Sequence, residues 1–373
     1  MSFNPAGGAL SGASDVALNN PAEAQALMYN GTNQVWENRP VSGGSSDPRL
    51  ITPPNNTTDI GPLINTALQT YGVAIVAACP GSYWTLNTPI SIGLGEALIG
   101  YGQGTSILRA GTGLIGQPMI QLRTGSAAHF TIRGLQLLGL SRASQCIYLY
   151  CTAQPTTAAT NPDGVAIIDD VFASGATADG IYVGGSGAYS GNLRESRILN
   201  CIVKGNGGPG ITVASSDCFL FNNTTHGNGG IGYSLVAGQA GNAKLTQCKA
   251  YFEAIGIDAA AGRVTITGGE VQDCTTYGVR LGANCYLAMT IDTCGDATTP
   301  GLYVNGTGCT FAVHMVGRNP PNTNVINAAI QLATGSQIHA GFINTNVLLG
   351  GVNYDTQYQN ANRPATGSTL VVS

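Results

Sequence analysis

Charge is what this sequence has least of. Charged residues make up 9% of its 373 positions, against about 25% in an ordinary globular domain. Lysine occurs only at Lys204, Lys244 and Lys249. So few strong helix formers argue against exposed helices and favour strands and turns. No basic cluster accompanies the formal net charge of −4, so no nucleic-acid partner is expected. No apolar run approaches the roughly 18–20 residues of a membrane span, so no membrane insertion is expected. The opening MSFNPAGGAL lacks the basic and apolar regions of a secretory signal. Synthesis in a cytoplasm, without a direct membrane anchor, is the expectation.

Several chemical signatures are also missing. No GK[ST], GxSxG or repeated GGxGxD occurs, which argues against a phosphate loop, a hydrolase elbow and calcium-binding nonapeptide coils. GYGQGTS at 100–106 has close-set glycines but lacks the GxGxxG spacing and a following helix. The ten cysteines contain no CxxC pair, and Cys201, Cys248, Cys274 and Cys294 sit within or beside short apolar runs. Buried free thiols are expected there, with disulfides or metal ligation as the alternatives. His129, His314 and His339 lie far apart in the repeat order, so no metal and no cofactor is expected. The sequons at Asn56, Asn223 and Asn305 have no secretory signal to make them meaningful.

Hydrophobic residues make up 43%, and there are 53 glycines. NCIVKGNGGPGITV at 200–213 is two short apolar runs around a glycine-rich spacer, and the pattern recurs. Anchor glycines stand at Gly180, Gly210, Gly232, Gly256, Gly278 and Gly301, spaced by 30, 22, 24, 22 and 23 residues. This period, with two or three short strands per repeat, is that of a solenoid. The frame of a leucine-rich repeat is absent, and a propeller blade needs about 40 residues. The expected fold is all-β: a parallel β-helix of about three strands per coil, with glycine and asparagine at corners that need positive φ. GGSGAYSGNLRES at 184–196 reads as an excursion between coils.

Residues 58–110 resemble the opening segment of pectate-lyase-like right-handed β-helices, the fold of phage tailspikes and polysaccharide-cleaving enzymes. The resemblance rests on a short amphipathic helix capped by Asp59, with Ile60, Leu63, Ile64, Ala67 and Leu68 as apolar positions. It continues through the turn Pro80, Gly81, Ser82, Tyr83 and the element IGYGQGTSI at 99–107. Residues 12–41 resemble a short segment near the start of phage tail-fibre and minor tail proteins, in which Leu27, Tyr29 and Trp36 would support a hairpin. A small β-cap over the first coil is the alternative. These resemblances imply a virion-attachment segment over 1–42, a linker over 43–57, a β-helix over 58–345 and a C-terminal cap or tail over 346–373. They also imply a virion tail location, a homotrimer, and attachment through the N-terminus to other tail or baseplate proteins.

Stacked coils turn sequence offset into proximity. Counted back eight or nine places from the anchor glycines, Asn223, Gln247, Glu270 and Asp292 fall nearly in register. Glu270 and Asp292 are therefore the candidate catalytic pair of a glycosidase or lyase; capping turns or joining a polar ladder is their alternative role. Asp169, Asp170, Asp179, Glu253, Asp258 and Asp273 read as solvated or corner residues. His226, Lys204 and Lys249 would form a basic spot for an acidic sugar. Tyr182, Tyr189, Tyr233, Tyr251 and Tyr277 are possible stacking platforms. The candidate glycan-binding set is Asn223, His226, Tyr233, Gln247 and Tyr251.

The functional expectation is a phage tail-spike or tail-fibre protein that binds host surface polysaccharide. An active depolymerase is the rival from the enzyme class, and a purely structural virion component is the third reading. The low acid count favours binding over cleavage.

Overall fold

The computed structural model describes the backbone of residues 16–17, 25–30, 35–40, 47–79, 82–123, 129–151, 165–185, 193–236, 240–295, 299–316, 330–332, 337–345 and 369–372. Side chains are described between 47 and 314 within those limits. Most of the segment 1–42, all of 346–368, Tyr189 and the turn residues Pro80 and Gly81 fall outside the described residues.

Each coil runs through three short strands, and corresponding strands stack in parallel. One coil comprises Lys244–Thr246, Lys249–Tyr251 and Ile255–Ala259. In the next, Leu245 pairs with Ile266, Ala250 with Val271 and Ile257 with Val279. The third strands alone form a ten-stranded sheet from Ile90–Ile92 to Ile330–Leu332 in chain order. Alternation along each strand sends every second side chain inward, and Leu245, Ala250, Ile257, Ile266, Val271 and Val279 are buried. Parallel pairing continues through Gln337–Thr345, onto which Thr369–Val372 adds.

One rule builds the corners: a residue in the left-handed region, then a residue that turns inward. Between the first and second strands the left-handed positions are Asn200, Asn222 and Gln247 (φ 54°, 52° and 55°). Between the second and third they include Gly205, Gly227, Phe252 and Asp273, and between the third and the next first strand Asp217, Asn242, Arg263 and Asn284. The following residue has little room in the core, which accounts for the cysteines. Cys201, Cys218, Cys248, Cys274, Cys285, Cys294 and Cys309 each follow a left-handed residue. All ten cysteines are buried.

The anchor glycines are not among the corner residues. Gly180, Gly210, Gly232, Gly256 and Gly278 have no positive φ; they open the third strand where the next coil comes closest. A Cβ on Gly232 would lie 2.6 Å from the Gly256 carbonyl oxygen, and one on Gly256 would lie 2.6 Å from that of Gly278. Close stacking, not turn conformation, requires glycine there.

The helix Gly61–Tyr71 buries Ile64, Ala67 and Leu68 against the strands Val73–Val76 and Ile90–Ile92. Leu63 is 42% exposed, off the buried stripe. Asp59 sits one residue before the N-cap, Ile60. Its Oδ1 accepts the Gly61 N–H at 3.0 Å and the Asn87 N–H at 2.9 Å, tying the helix start to the first coils. Near the N-terminus, Gln25–Asn30 and Val35–Pro40 form an antiparallel hairpin with Tyr29 opposite Trp36. No helix among the described residues is long and apolar enough to cross a membrane.

Candidate functional site

The second strands present their outward side chains in two columns along the stack. One column runs Ile202, Thr224, Lys249, Glu270, Thr290 and His314. The other runs Lys204, His226, Tyr251, Gln272 and Asp292. Pairing in the β-ladder thus brings His226, Tyr251, Glu270 and Asp292 onto one sheet face. A groove of about 420 Å³ opens there, lined by Asn222, Thr224, Lys249, Tyr251, Glu270 and Gln272.

Tyr251, which lines the groove, belongs to an aromatic cluster. The His226 and Tyr251 rings lie 4.7 Å apart, and Phe252 stands 5.5 Å from His226 and 5.9 Å from Tyr251. Phe252 is 58% exposed with φ 56°, at a corner where the two preceding coils carry Gly205 and Gly227. A bulky residue in this region is unusual and costly. Lys249 Nζ lies 3.9 Å from Glu270 Oε2, and Lys204 Nζ stands 5.3 Å from the centre of the Phe172 ring. The groove therefore offers aromatic surface, a cation and a carboxylate within two adjacent coils. Those are the contacts that a hydroxylated ring can use.

Glu270 is opposite Thr290, not Asp292, which is opposite Gln272. The two carboxylates share a face but sit diagonally, about 8 Å apart at Cα from strand rise and spacing. Asp292 Oδ1 accepts the Thr293 hydroxyl at 2.7 Å. Counting from the glycines misplaced the register because the second corner varies in length. Gln247 likewise belongs with Asn222 at the exposed first corner, since Lys249 pairs with Thr224.

Two expected glycan contacts are corrected. Asn223 and Tyr233 are fully buried. Asn223 follows the left-handed Asn222, so it points inward: Nδ2 donates to the Ile198 carbonyl at 2.7 Å, and Oδ1 accepts the Cys201 N–H at 2.9 Å. The Tyr233 hydroxyl lies 2.7 Å from the Asn223 carbonyl and 3.0 Å from that of Lys249, and burial pushes its pKa well up. Both join coils from within.

Glu253 and Asp258 are not solvated either. Glu253 is 2% exposed, and its carboxylate accepts the Asn228 N–H at 2.8 Å and Asn228 Nδ2 at 2.9 Å. Burial pushes its pKa up to about 7, against those hydrogen bonds, which pull it down. Asp258 pairs with Arg280 of the next coil, whose Nε donates to Oδ1 at 2.8 Å. Asp170 and Asp273 are left-handed corner residues. On the third sheet, Tyr148, Tyr150 and Tyr182 cluster with ring centres 5.1–6.1 Å apart, beside Asp179. Burial raises the Asp179 pKa, while the Thr212 hydroxyl, 2.9 Å away, lowers it.

The sequence reading missed Phe252 and Gln272. Phe252 carried a signal, an aromatic where neighbouring coils have glycine. Gln272 needed the register. Among the described residues no group of His, Cys, Asp and Glu is arranged to hold a metal.

Residues 146–315 match the family model described as "Right handed beta helix region". This chain is a right-handed parallel β-helix. Its fold is similar to the A-module of mannuronan C-5 epimerase AlgE6 of Azotobacter vinelandii, with TM-score 0.59 and 12% identity, covering 86% of this chain and 96% of that one. It is similar to tailspike protein 2 of Escherichia coli O157:H7 bacteriophage CAB120, with TM-score 0.59 and 12% identity over 85% of this chain and 44% of the tailspike. The tailspike of E. coli bacteriophage HK620, solved with a hexasaccharide, matches at TM-score 0.52 and 11% identity over 87% of this chain and 69% of that one. The β-helix thus spans under half the length of the CAB120 protein. At these identities the likeness is one of fold. No curated protein matches the sequence.

Proposed function

We propose that this β-helix is part of a phage virion tail-spike or tail-fibre protein that binds surface polysaccharide of the host. The observation that carries the reading is the second-sheet groove, where His226, Tyr251 and the strained, exposed Phe252 stand beside Lys249 and Glu270. A pyranose presents C–H faces to aromatic rings and hydroxyls to charged groups, and coils about 4.8 Å apart repeat such contacts along the axis. Two similar folds are phage tailspikes, one of them solved with a hexasaccharide, which agrees with this assignment. Gln247 at the rim of the same face completes the proposed contacts. A homotrimer, and attachment to tail or baseplate proteins through residues 1–42, belong to the same proposal.

Depolymerase activity is the second reading, favoured by Glu270 and Asp292 lying on one face of consecutive coils. With Cα atoms about 8 Å apart, their side chains can reach either side of a sugar laid across adjacent coils, the arrangement that paired-carboxyl glycosidases use. Incubation with a panel of purified bacterial O-polysaccharides and capsular polysaccharides, scored for bound protein and for new reducing or unsaturated ends, tests both. Binding without new ends supports the first reading and new ends the second. Neither result leaves the structural virion role.

A further inference from the structure

A second surface, on the first sheet, goes beyond that reading and does not rest on it. Outward side chains of three consecutive coils line a cavity of about 700 Å³ there: Arg197 and Leu199, then Phe219 and Phe221, then Lys244. The Phe219 and Phe221 rings are 6.1 Å apart and inclined by only 12°. Arg197 stands opposite Phe219 on one side and Lys244 on the other, about 10 Å apart across the ring from the coil spacing. Glu195 and Asp217, both left-handed corner residues with φ 57° and 60°, bring carboxylates to the same rim.

The combination selects a ligand class. Phe219 and Phe221 are half-buried and face outward, so their rings form an apolar surface that a ligand can cover. Two cations and two carboxylates on one rim cancel in net charge, so neither a polyanion nor a polycation complements it. A neutral saccharide fits both features, stacking its C–H face on the rings while its hydroxyls accept from Arg197 and Lys244 and donate to Glu195 and Asp217. We propose that the face built on Phe219 and Phe221 is a second carbohydrate site, for a neutral hexose oligosaccharide.

Saturation-transfer NMR and titration with the hexasaccharides of α-1,4-glucose, β-1,4-glucose and mannose, and with hexagalacturonate, test the assignment on the full chain. The wild type is expected to bind at least one neutral hexasaccharide and to prefer it to hexagalacturonate. The double variant Phe219→Ser/Phe221→Ser should lose about tenfold in affinity, the loss of one aromatic contact. Ile115→Ala, an exposed apolar side chain that lines neither surface, should leave this binding unchanged, and Tyr251→Ala on the second strands is scored beside it. If the double variant fails to fold, Lys244→Ala carries the test, with an expected loss of about threefold. No binding of any neutral probe, a preference for hexagalacturonate, or loss in the Tyr251→Ala variant alone would each overturn the proposal. Because Tyr251→Ala is scored separately, failure here is distinguishable from failure of the groove around Tyr251.

Discussion

Lys249 and Glu270 occupy the same position on consecutive coils, with Nζ 3.9 Å from Oε2. Both are substantially exposed, so the pair contributes little to folding: exposed ion pairs are worth about 0–1 kcal/mol. Replacing either should leave the thermal midpoint within a few degrees of wild type. Their use lies in what they present to solvent. Lys249→Ala should weaken polysaccharide binding severalfold, read by titration. Glu270→Gln should leave binding nearly intact and abolish cleavage, where cleavage is found.

Phe252 separates stability from function. A left-handed conformation costs a non-glycine residue about 1–2 kcal/mol. Phe252→Gly should therefore raise stability by about 1 kcal/mol in chemical denaturation, while weakening glycan binding. A destabilised Phe252→Gly protein would show that the ring packs for the fold.

The buried Glu253 makes stability depend on pH. Its folded pKa, near 7, lies above the ordinary value of about 4.3, so the folded state holds its proton more tightly than the unfolded chain. The unfolding free energy should then fall as pH rises from about 4.5 to 7, by roughly 2–3 kcal/mol. Glu253→Gln should flatten that slope. Denaturant midpoints across this range would reveal an unchanged slope if the group is not responsible.

Two glycines should respond differently to alanine. At Gly232 a Cβ would meet the Gly256 carbonyl oxygen at 2.6 Å and Thr225 Oγ1 at 2.5 Å. That overpacking should cost about 3 kcal/mol. At Gly205 a Cβ meets nothing within 4 Å, so Gly205→Ala should cost only the left-handed penalty of about 1–2 kcal/mol. Paired denaturation curves compare them directly.

The stacking of coils was legible because the anchor glycines recur where the backbones come closest, a requirement no other residue meets. The composition of the core was legible for the same reason: short alternating runs have one inward face. Register was not. The second corner takes eight residues from Thr224 to Gly232, seven from Lys249 to Gly256 and eleven from Thr290 to Gly301. Offsets measured from the glycines therefore slide between coils, and Asp292 stands two positions past Thr290, the residue opposite Glu270. Burial of Asn223 was hidden as well. Two adjacent asparagines look alike in sequence, yet the left-handed Asn222 faces solvent and Asn223 faces the core.

The central claim, a glycan groove on the second sheet, is tested most directly by titrating wild type and a Tyr251→Ala/His226→Ala variant with whichever panel polysaccharide the wild type binds. The account predicts a loss of affinity of about tenfold or more with an unchanged melting profile. Wild-type affinity in the double variant would contradict it.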